Sequence, residues 1–166
     1  ENGKGVIYDS AVLIHPQGGI AIHYRRINPQ WRAKNLPPRQ YGEGVEVKYT
    51  VTPLGKTAIL ICGDLFDDNV INLVNTIRPD FIFFPFARCF HPKIPNAQKE
   101  WDETEKHVYR DQVRRTGATL AMANYIGTKE IKDTSFGGAF VMDAAGDVLV
   151  ELPLFQEGLL YYELTR

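Results

Sequence analysis

Cys62 is the residue whose type and position most favour chemistry in this chain. It follows an apolar, strand-like run at residues 57–61 and precedes Gly63 and an acidic, polar segment at 64–68. The pattern predicts a strand that delivers a thiol to the C-terminal edge of a sheet, where open α/β sheets place their reactive groups. A free cysteine is more often a small buried hydrophobic residue. The surrounding sequence therefore has to decide between a nucleophile and a core residue.

A thiol in this position needs help to act as a nucleophile. An unperturbed cysteine has a pKa of about 8.5, so only a few per cent of it is thiolate near neutral pH. One cation at ~4 Å could favour the thiolate in a partly desolvated cleft. The backbone N–H of Gly63 is a natural donor to an oxyanion. Asp64 is predicted to be structural, because a carboxylate beside a thiolate disfavours the thiolate.

Apolar runs and turn residues predict several short strands, some of them joined as hairpins. The segment 16–19 and the pair Ala145-Gly146 are the clearest hairpin turns. Hairpins combined with a βα unit predict an α/β domain, a sheet covered by helices, and residues 1–166 have the length of a single domain. The predicted strands lie near 6–14, 19–25, 45–52, 57–62, 81–84, 118–124, 136–142 and 147–151, with a further one at 158–162.

Two helices are predicted from periodicity and capping residues. The first runs from about 68 to 77 and ends before Pro79, with Asp67 or Asp68 as its N-cap. The second runs from about 96 to 115. Its charged sequence and narrow apolar stripe predict an amphipathic helix that lies on the surface. The stripe consists of Trp101, Val108, Tyr109 and Val113.

The order of these elements resembles the carbon–nitrogen hydrolase (nitrilase/amidase) superfamily essentially from end to end. Residues 61–66 resemble the nucleophile segment, in which a cysteine is followed by an acidic residue and a phenylalanine. Tyr24-Arg25-Arg26 resembles the Tyr-Arg-Lys segment that carries the catalytic lysine of that family. The other matching segments are 8–11, 16–19, 81–86, 121–127, 136–140 and 143–147.

The resemblance implies a fold and a reaction. The fold is part of a four-layer α-β-β-α sandwich. The reaction is thiol-dependent hydrolysis of a non-peptide carbon–nitrogen bond, in a small amide or nitrile, through a thioester on Cys62. Arg26 takes the position of the lysine that stabilises the oxyanion, and Gly63 supplies a backbone donor. The substrate-binding positions implied are Phe66, Phe86, Arg88 and Cys89.

Three departures from the family pattern keep a second interpretation open. Arg26 replaces the lysine, and Asp67 replaces a proline. The general-base glutamate of the family precedes the segment that begins at Glu1, so the chain is expected to be the C-terminal three-fifths of a domain truncated at its N-terminus, and inactive by itself. The alternative is a catalytically silent homologue that acts as a small-molecule-binding or assembly subunit.

Other charged residues offer weaker alternatives for the site. Lys34, in the loop that follows Arg26, could supply the missing amine. A separate alternative is that Arg25 and Arg26 are solvated charges at the end of a strand. Glu43 fits the second glutamate of the family only poorly and is expected to be a surface charge. Cys89 and His91 form a Cys-x-His pair, which falls far short of a metal site, so no metal or cofactor is expected.

Composition sets the remaining expectations. The net charge is −1, with 19 basic and 20 acidic residues, which gives no reason to expect nucleic acid or an anionic membrane as a partner. No apolar stretch approaches the ~20 residues that span a bilayer. Two cysteines do not form a disulfide scaffold, so a cytoplasmic location is expected. Exposure of the Trp101, Val108 and Tyr109 stripe, with unpaired strand edges, predicts a homo-oligomer.

Overall fold

A mixed six-stranded sheet and a separate hairpin form the framework of the protein. The computed structural model describes residues 5–34, 37, 40–90, 94, 96–128 and 134–164. Strands β1 and β2 pair antiparallel as the hairpin, and the larger sheet has the order β3-β4-β5-β6-β7-β8. The strands are β1 Ser10–Ile14, β2 Ile20–Arg25, β3 Tyr49–Thr52, β4 Gly55–Ile59, β5 Phe81–Phe86, β6 Thr119–Asn124, β7 Ala139–Met142 and β8 Val148–Leu152.

The centre of the large sheet is parallel and brings three strand ends to one edge. Strand β5 pairs parallel with both β4 and β6, whereas the outer strands pair antiparallel. Parallel neighbours require crossover connections, and helical segments supply both of them. The chain therefore leaves β4 towards Cys62, β5 towards Arg88 and β6 at Asn124 along the same edge of the sheet.

Helix α1, Asp68–Ile77, forms as the sequence predicts. The Asp67 side chain accepts a hydrogen bond from the backbone N–H of Asn69 at 3.0 Å and so caps the first turn. Val70, Ile71 and Val74 lie on the buried face. The helix ends at Arg78, which has a left-handed conformation just before Pro79.

The second predicted helix is interrupted by a π-helical turn. It consists of α2 Ala97–Glu100, the π turn Trp101–Glu105 and α3 Lys106–Thr116. Trp101, Tyr109 and Val113 are 0%, 4% and 0% exposed and pack into the core, as the apolar stripe of an amphipathic helix normally does. The exposure of Trp101 and Tyr109 predicted for an oligomer contact is therefore wrong, whereas Val108 is exposed. Aromatic packing explains the difference, since the Trp101 ring lies against Phe136, Phe140 and Tyr109. Val108 is thus the exposed member of the stripe, and the homo-oligomer stays a prediction.

Eight of the nine predicted strand regions contain a strand, and the ninth does not. Residues 158–162 form no strand, and Leu159 and Tyr161 are largely exposed. The face of β5 that carries Ile82, Phe84 and Phe86 is buried, whereas its other face goes from buried Phe81 to exposed Pro85. Ile22 and Tyr24 of the hairpin belong to the same core as the sheet. No helix among the described residues is long and apolar enough to cross a membrane.

Candidate active site

Cys62 occupies a strained position immediately after β4. It begins a short 3₁₀ turn, Cys62–Phe66, and its φ of 47° lies in the left-handed region that residues with a Cβ rarely adopt. The thiol is half-buried, and its Sγ lies 4.0 Å from the carbonyl oxygen of Ala87, which follows β5. Such strain persists only where the surrounding structure enforces it, and it is concentrated at functional sites.

The thiol faces a cavity of about 980 Å³, here called the Cys62 cavity. The hairpin, the turn after β4, the loop after β5 and the π turn with α3 all contribute to its wall. The described lining residues include five of the predicted site positions, namely Arg26, Gly63, Phe66, Phe86 and Arg88. The same wall contains residues that were not predicted as site residues, namely Asp9, Ser10, Ala11, Gln30, Trp31, Ile61, Pro85, Ala87, Glu105, Val108 and Tyr109.

The Asp64 carboxylate holds the turn that presents Cys62. It is fully buried and accepts hydrogen bonds from the backbone N–H groups of Ile27, Asn28 and Ile61 at 3.1, 2.8 and 3.0 Å. A fourth hydrogen bond comes from the Tyr24 hydroxyl at 2.8 Å. Asp64 therefore ties the turn to the segment that follows β2.

Burial is the main cause of the pKa shifts of Asp64 and Tyr24. Desolvation raises the pKa of Asp64 above its usual range, although the four hydrogen bonds favour the carboxylate. Desolvation and the charge of Asp64 raise the pKa of Tyr24 as well. Tyr24 therefore remains a hydrogen-bond donor. These contacts agree with the structural role predicted for Asp64.

Arg26 points into the protein rather than into solvent. It follows β2, is 5% exposed, and its Nη1 lies 3.3 Å from Oδ2 of Asp9. Its Nη2 donates to Oδ1 of Asn28 at 3.5 Å. The Nε has no hydrogen-bond partner among the described residues. The site therefore contains a buried cation with one carboxylate partner and long contacts.

Gly63 allows Arg26 to approach the turn that carries the thiol. A Cβ at Gly63 would overlap Nη2 of Arg26 and would come within 2.9 Å of Oδ1 of Asn28. Any side chain here would therefore displace the guanidinium. The pattern Cys62-Gly63 thus places a cation against the backbone of the residue that follows the thiol.

A second arginine–carboxylate pair also lines the Cys62 cavity. The guanidinium of Arg88 donates through Nε and Nη2 to the carboxylate of Glu105 in the π turn. The Asn124 side chain accepts from the backbone N–H of Arg88 at 2.8 Å and donates to its carbonyl at 3.2 Å. The hydrogen bond to Glu105 raises the pKa of Arg88. Arg88 is therefore fixed both at its backbone and at its guanidinium.

The family model for carbon–nitrogen hydrolases matches residues 1–166 of this sequence. The chain belongs to the carbon–nitrogen hydrolase family. The predicted resemblance is thereby confirmed. No curated protein matches the sequence significantly.

Solved structures support the family fold. A carbon–nitrogen hydrolase from Helicobacter pylori G27 has a TM-score of 0.72 and 21% identity over 92% of this chain and 55% of that chain. Nit3 of Saccharomyces cerevisiae, from branch 10 of the nitrilase superfamily, has a TM-score of 0.71 and 13% identity over 94% and 53%. A mutant of the amidase from Nesterenkonia sp. AN1 has a TM-score of 0.65 and 18% identity over 87% and 52%.

These similarities confirm the predicted fold class, an α/β structure of the nitrilase/amidase sandwich type. The chain spans about half the length of each of the three structures. Identities at this level show the fold alone.

Several weaker sequence candidates lie away from the Cys62 cavity. Cys89 is exposed and its backbone forms an antiparallel β-bridge with Ser135. It is not among the described residues that line the Cys62 cavity. Glu43 pairs with Arg32 and lines a second, smaller cavity. Lys34 is exposed and does not line the Cys62 cavity. His91 lies outside the described residues. No cluster of three potential metal ligands occurs in the described ranges.

Three polar residues on the wall of the Cys62 cavity were not predicted from the sequence, namely Asp9, Glu105 and Tyr109. Asp9 could have been found from the hairpin, because the register that pairs Ser10 with Arg25 places Asp9 beside Arg26. Glu105 looked like one charge among many on a charged helix, and Tyr109 looked like part of an apolar stripe. The π turn that places both of them on the cavity wall has no clear sequence signal.

Proposed function

We propose that this protein hydrolyses a carbon–nitrogen bond in a small amide or nitrile, with Cys62 as the nucleophile. The observation that carries the proposal is the strained, half-buried thiol on a cavity wall that also contains the buried guanidinium of Arg26. The cavity of about 980 Å³ has room for a small-molecule substrate.

The reaction would proceed in two halves. The thiolate attacks the amide carbon, the Sγ–C bond forms, and the C–N bond breaks as the leaving amine takes up a proton. Water then attacks the thioester, which releases the carboxylic acid and regenerates the thiol. A nitrile reaches the same thioester through a thioimidate, after addition of water and loss of ammonia.

The oxyanion of each tetrahedral intermediate needs donors that are already in place. We assign this role to the backbone N–H of Gly63 and to the guanidinium of Arg26, which lies against Gly63. Removal of one such donor costs an acyl-transfer enzyme about 3 kcal/mol of transition-state stabilisation. Arginine keeps the positive charge of the lysine in the family pattern but cannot shuttle a proton.

The thiol proton also needs an acceptor. Asp9 and Glu105 are the carboxylates among the described lining residues, and each is already paired with a guanidinium. Neither carboxylate is therefore free of a cationic partner. We therefore propose that a further glutamate accepts the proton, as the family resemblance implies.

One solved relative supports the choice of nucleophile by analogy. In mutants of the amidase from Nesterenkonia sp. AN1, acrylamide adds to the active-site cysteine and fluoroacetamide leaves an acetamide moiety on it. The cysteine in that protein therefore reacts with amide-sized molecules. We propose the same reactivity for Cys62.

The Arg26–Asp9 pair favours one alternative, a catalytically silent homologue that binds a small molecule or serves as an assembly subunit. A guanidinium that already faces a carboxylate at 3.3 Å has less uncompensated charge for an oxyanion. In that case the cavity would still bind amides, but no bond would break.

Substitution of each of the two cysteines tests the proposal. We expect the full chain, meaning the protein with that further glutamate rather than residues 1–166 alone, to release ammonia from propionamide. Cys62→Ala should reduce the rate to background with a nearly unchanged melting temperature. Cys89→Ala is the matched variant and should retain most of the rate, because Cys89 lies outside the cavity lining. An active Cys62→Ala protein would overturn the proposal. An inert wild type that still binds propionamide would favour the silent homologue.

A further inference from the structure

We propose that the hydroxyl of Tyr109 donates a hydrogen bond to an uncharged oxygen on the acyl chain of the substrate. The substrate class is then a small amide whose acyl chain carries a keto, ether or hydroxyl oxygen. This inference rests on the proposed function, because it takes Cys62 as the point at which the scissile carbon is held.

The ring of Tyr109 is held in place by three aromatic neighbours. Its residue is 4% exposed, and the ring contacts Phe66, Phe86 and Trp101 with centroid separations of 5.1, 5.4 and 5.4 Å. Offset and edge-on contacts of this kind restrict the orientation of an aromatic ring. The small exposed part of this residue lies on the Cys62 cavity.

The hydroxyl of this buried tyrosine donates to no other residue that the structure describes. The phenol of a buried tyrosine usually finds a partner, because desolvation without one is costly. Here the open side is the cavity, so a ligand can supply the acceptor. Burial, and after it the charge of a Cys62 thiolate, raise the pKa of Tyr109. The phenol therefore stays protonated and acts as a donor.

The position of Tyr109 assigns it to the acyl chain rather than to the reacting carbonyl. The proposed oxyanion donors, Gly63 and Arg26, come from the turn after β4 and from the end of the hairpin. Tyr109 comes from α3, on the wall formed by the Arg88–Glu105 pair. A substrate attached at Cys62 can thus extend towards Tyr109 while its carbonyl oxygen stays with the other two donors.

The charges on the cavity wall favour a neutral acceptor. The charged side chains among its described lining residues form two pairs, Arg26 with Asp9 and Arg88 with Glu105. No formal charge is left over among them to hold an ionised group on the substrate. An uncharged oxygen satisfies the phenol without disturbing either pair.

The test compares ligands of equal length on a background that cannot turn them over. In the full chain carrying Cys62→Ala, calorimetric titration measures the Kd of 4-oxopentanamide and of pentanamide. We expect the keto amide to bind about fivefold to tenfold more tightly, the effect of one neutral hydrogen bond. Adding Tyr109→Phe, which keeps the ring contacts, should bring the two Kd values together. Tyr125→Phe is the matched control, since Tyr125 is exposed and is not among the described lining residues.

Several results would overturn the inference. One is an unchanged preference for the keto amide in the Tyr109→Phe protein with a normal melting temperature. Another is an equal weakening of both amides by Tyr109→Phe, which would place the hydroxyl at the reacting carbonyl. Tighter binding of succinamate than of 4-oxopentanamide would show that the acceptor is charged.

The same titrations separate this inference from the proposed function. Binding is measured without Cys62, so a Tyr109-dependent preference supports the inference even if the wild type hydrolyses neither amide. Turnover of both amides by the wild type without that preference would support the hydrolase and overturn the inference.

Discussion

The two arginine–carboxylate pairs of the Cys62 cavity differ in almost every physical respect. The Arg26 side chain is 6% exposed and lies 3.3 Å from one oxygen of Asp9. The Arg88 side chain is 44% exposed and meets Glu105 through two nitrogens. The first pair keeps a buried cation beside the turn that carries the thiol. In the second pair the arginine is the more exposed partner, because the Glu105 side chain is 19% exposed and that of Asp9 is 31% exposed.

The difference in burial of the two arginines is the reason for proposing that the Arg26 pair takes part in chemistry and that the Arg88 pair shapes the wall. Exposed ion pairs contribute 0 to about 1 kcal/mol to stability, because water and salt already screen both charges. A buried charge is costly to leave unpaired. Arg26 has a long contact to Asp9 and an Nε that has no partner among the described residues, which is why we propose Arg26 rather than Arg88 as an oxyanion donor.

The largest effect is expected when the buried pair is broken from the acidic side. Asp9→Ala should lower the free energy of unfolding by roughly 3 kcal/mol, because it leaves Arg26 buried without a counter-charge. Urea denaturation measures this change. The control is Asp111→Ala, which breaks an exposed pair with Arg114 and should cost less than about 1 kcal/mol. Equal effects of the two variants would mean that Arg26 is hydrated.

The next effect concerns the chemical identity of the buried cation. Arg26→Lys in the full chain should lower kcat for a small amide by about tenfold, since the shorter, compact ammonium loses the fork that meets Asp9 and Asn28. Steady-state ammonia release measures it. An inert wild type and an active lysine variant would instead identify a silenced homologue. An unchanged rate in an active enzyme would show that Arg26 takes no part.

Substitution in the Arg88–Glu105 pair should change the free energy of unfolding only slightly. Glu105→Gln removes the charge that faces an arginine with a 44% exposed side chain, and we expect a stability change of at most about 1 kcal/mol because water can solvate that arginine. Its effect should shrink further at high salt, because ions screen exposed pairs. Thermal unfolding at low and high ionic strength measures both. A loss as large as that of Asp9→Ala would show that the comparison is mistaken.

Part of this site was predictable from the sequence, and part was not. The positions of Cys62, Gly63 and Asp64 followed from a strand that ends at a thiol, because local patterning determines where a strand ends and a turn begins. The long-range contacts that define the rest of the cavity wall did not follow. Tyr109 and Glu105 lie there because a π turn rotates the helix, and a charged amphipathic sequence does not reveal that rotation.

The buried position of Trp101 shows the same limit. Its stripe has the spacing of an amphipathic helix that could lie on a surface. Only the pairing of β6 with β7 brings Phe140 under it, at a ring separation of 4.7 Å. The absence of a strand at 158–162 is a comparable case, because a β-like sequence needs a partner edge to become a strand.

The smallest effect concerns Lys106 and its two carboxylate partners, which lie outside the described lining of the cavity. Lys106 bonds to Asp102 and Glu151. Although burial opposes the shift, these hydrogen bonds raise the pKa of Lys106, so its contribution to stability is present below about pH 10 and is lost as the pH rises through the raised pKa. Lys106→Met should remove this alkaline dependence at a cost of a few tenths of a kcal/mol. Urea denaturation at neutral and alkaline pH measures it, and an identical pH profile for the two proteins would contradict the assignment.

The most direct test of the account is to detect the acyl group on the thiol. The full chain is mixed with excess propionamide, quenched in acid within the first turnovers and digested for mass spectrometry. We expect a propionyl mass increment on the peptide that contains Cys62, absent from the Cys89 peptide and absent in Cys62→Ala. Hydrolysis of propionamide with an unmodified Cys62 under quench conditions that preserve a reference thioester, or an acyl group on any other residue, would contradict it.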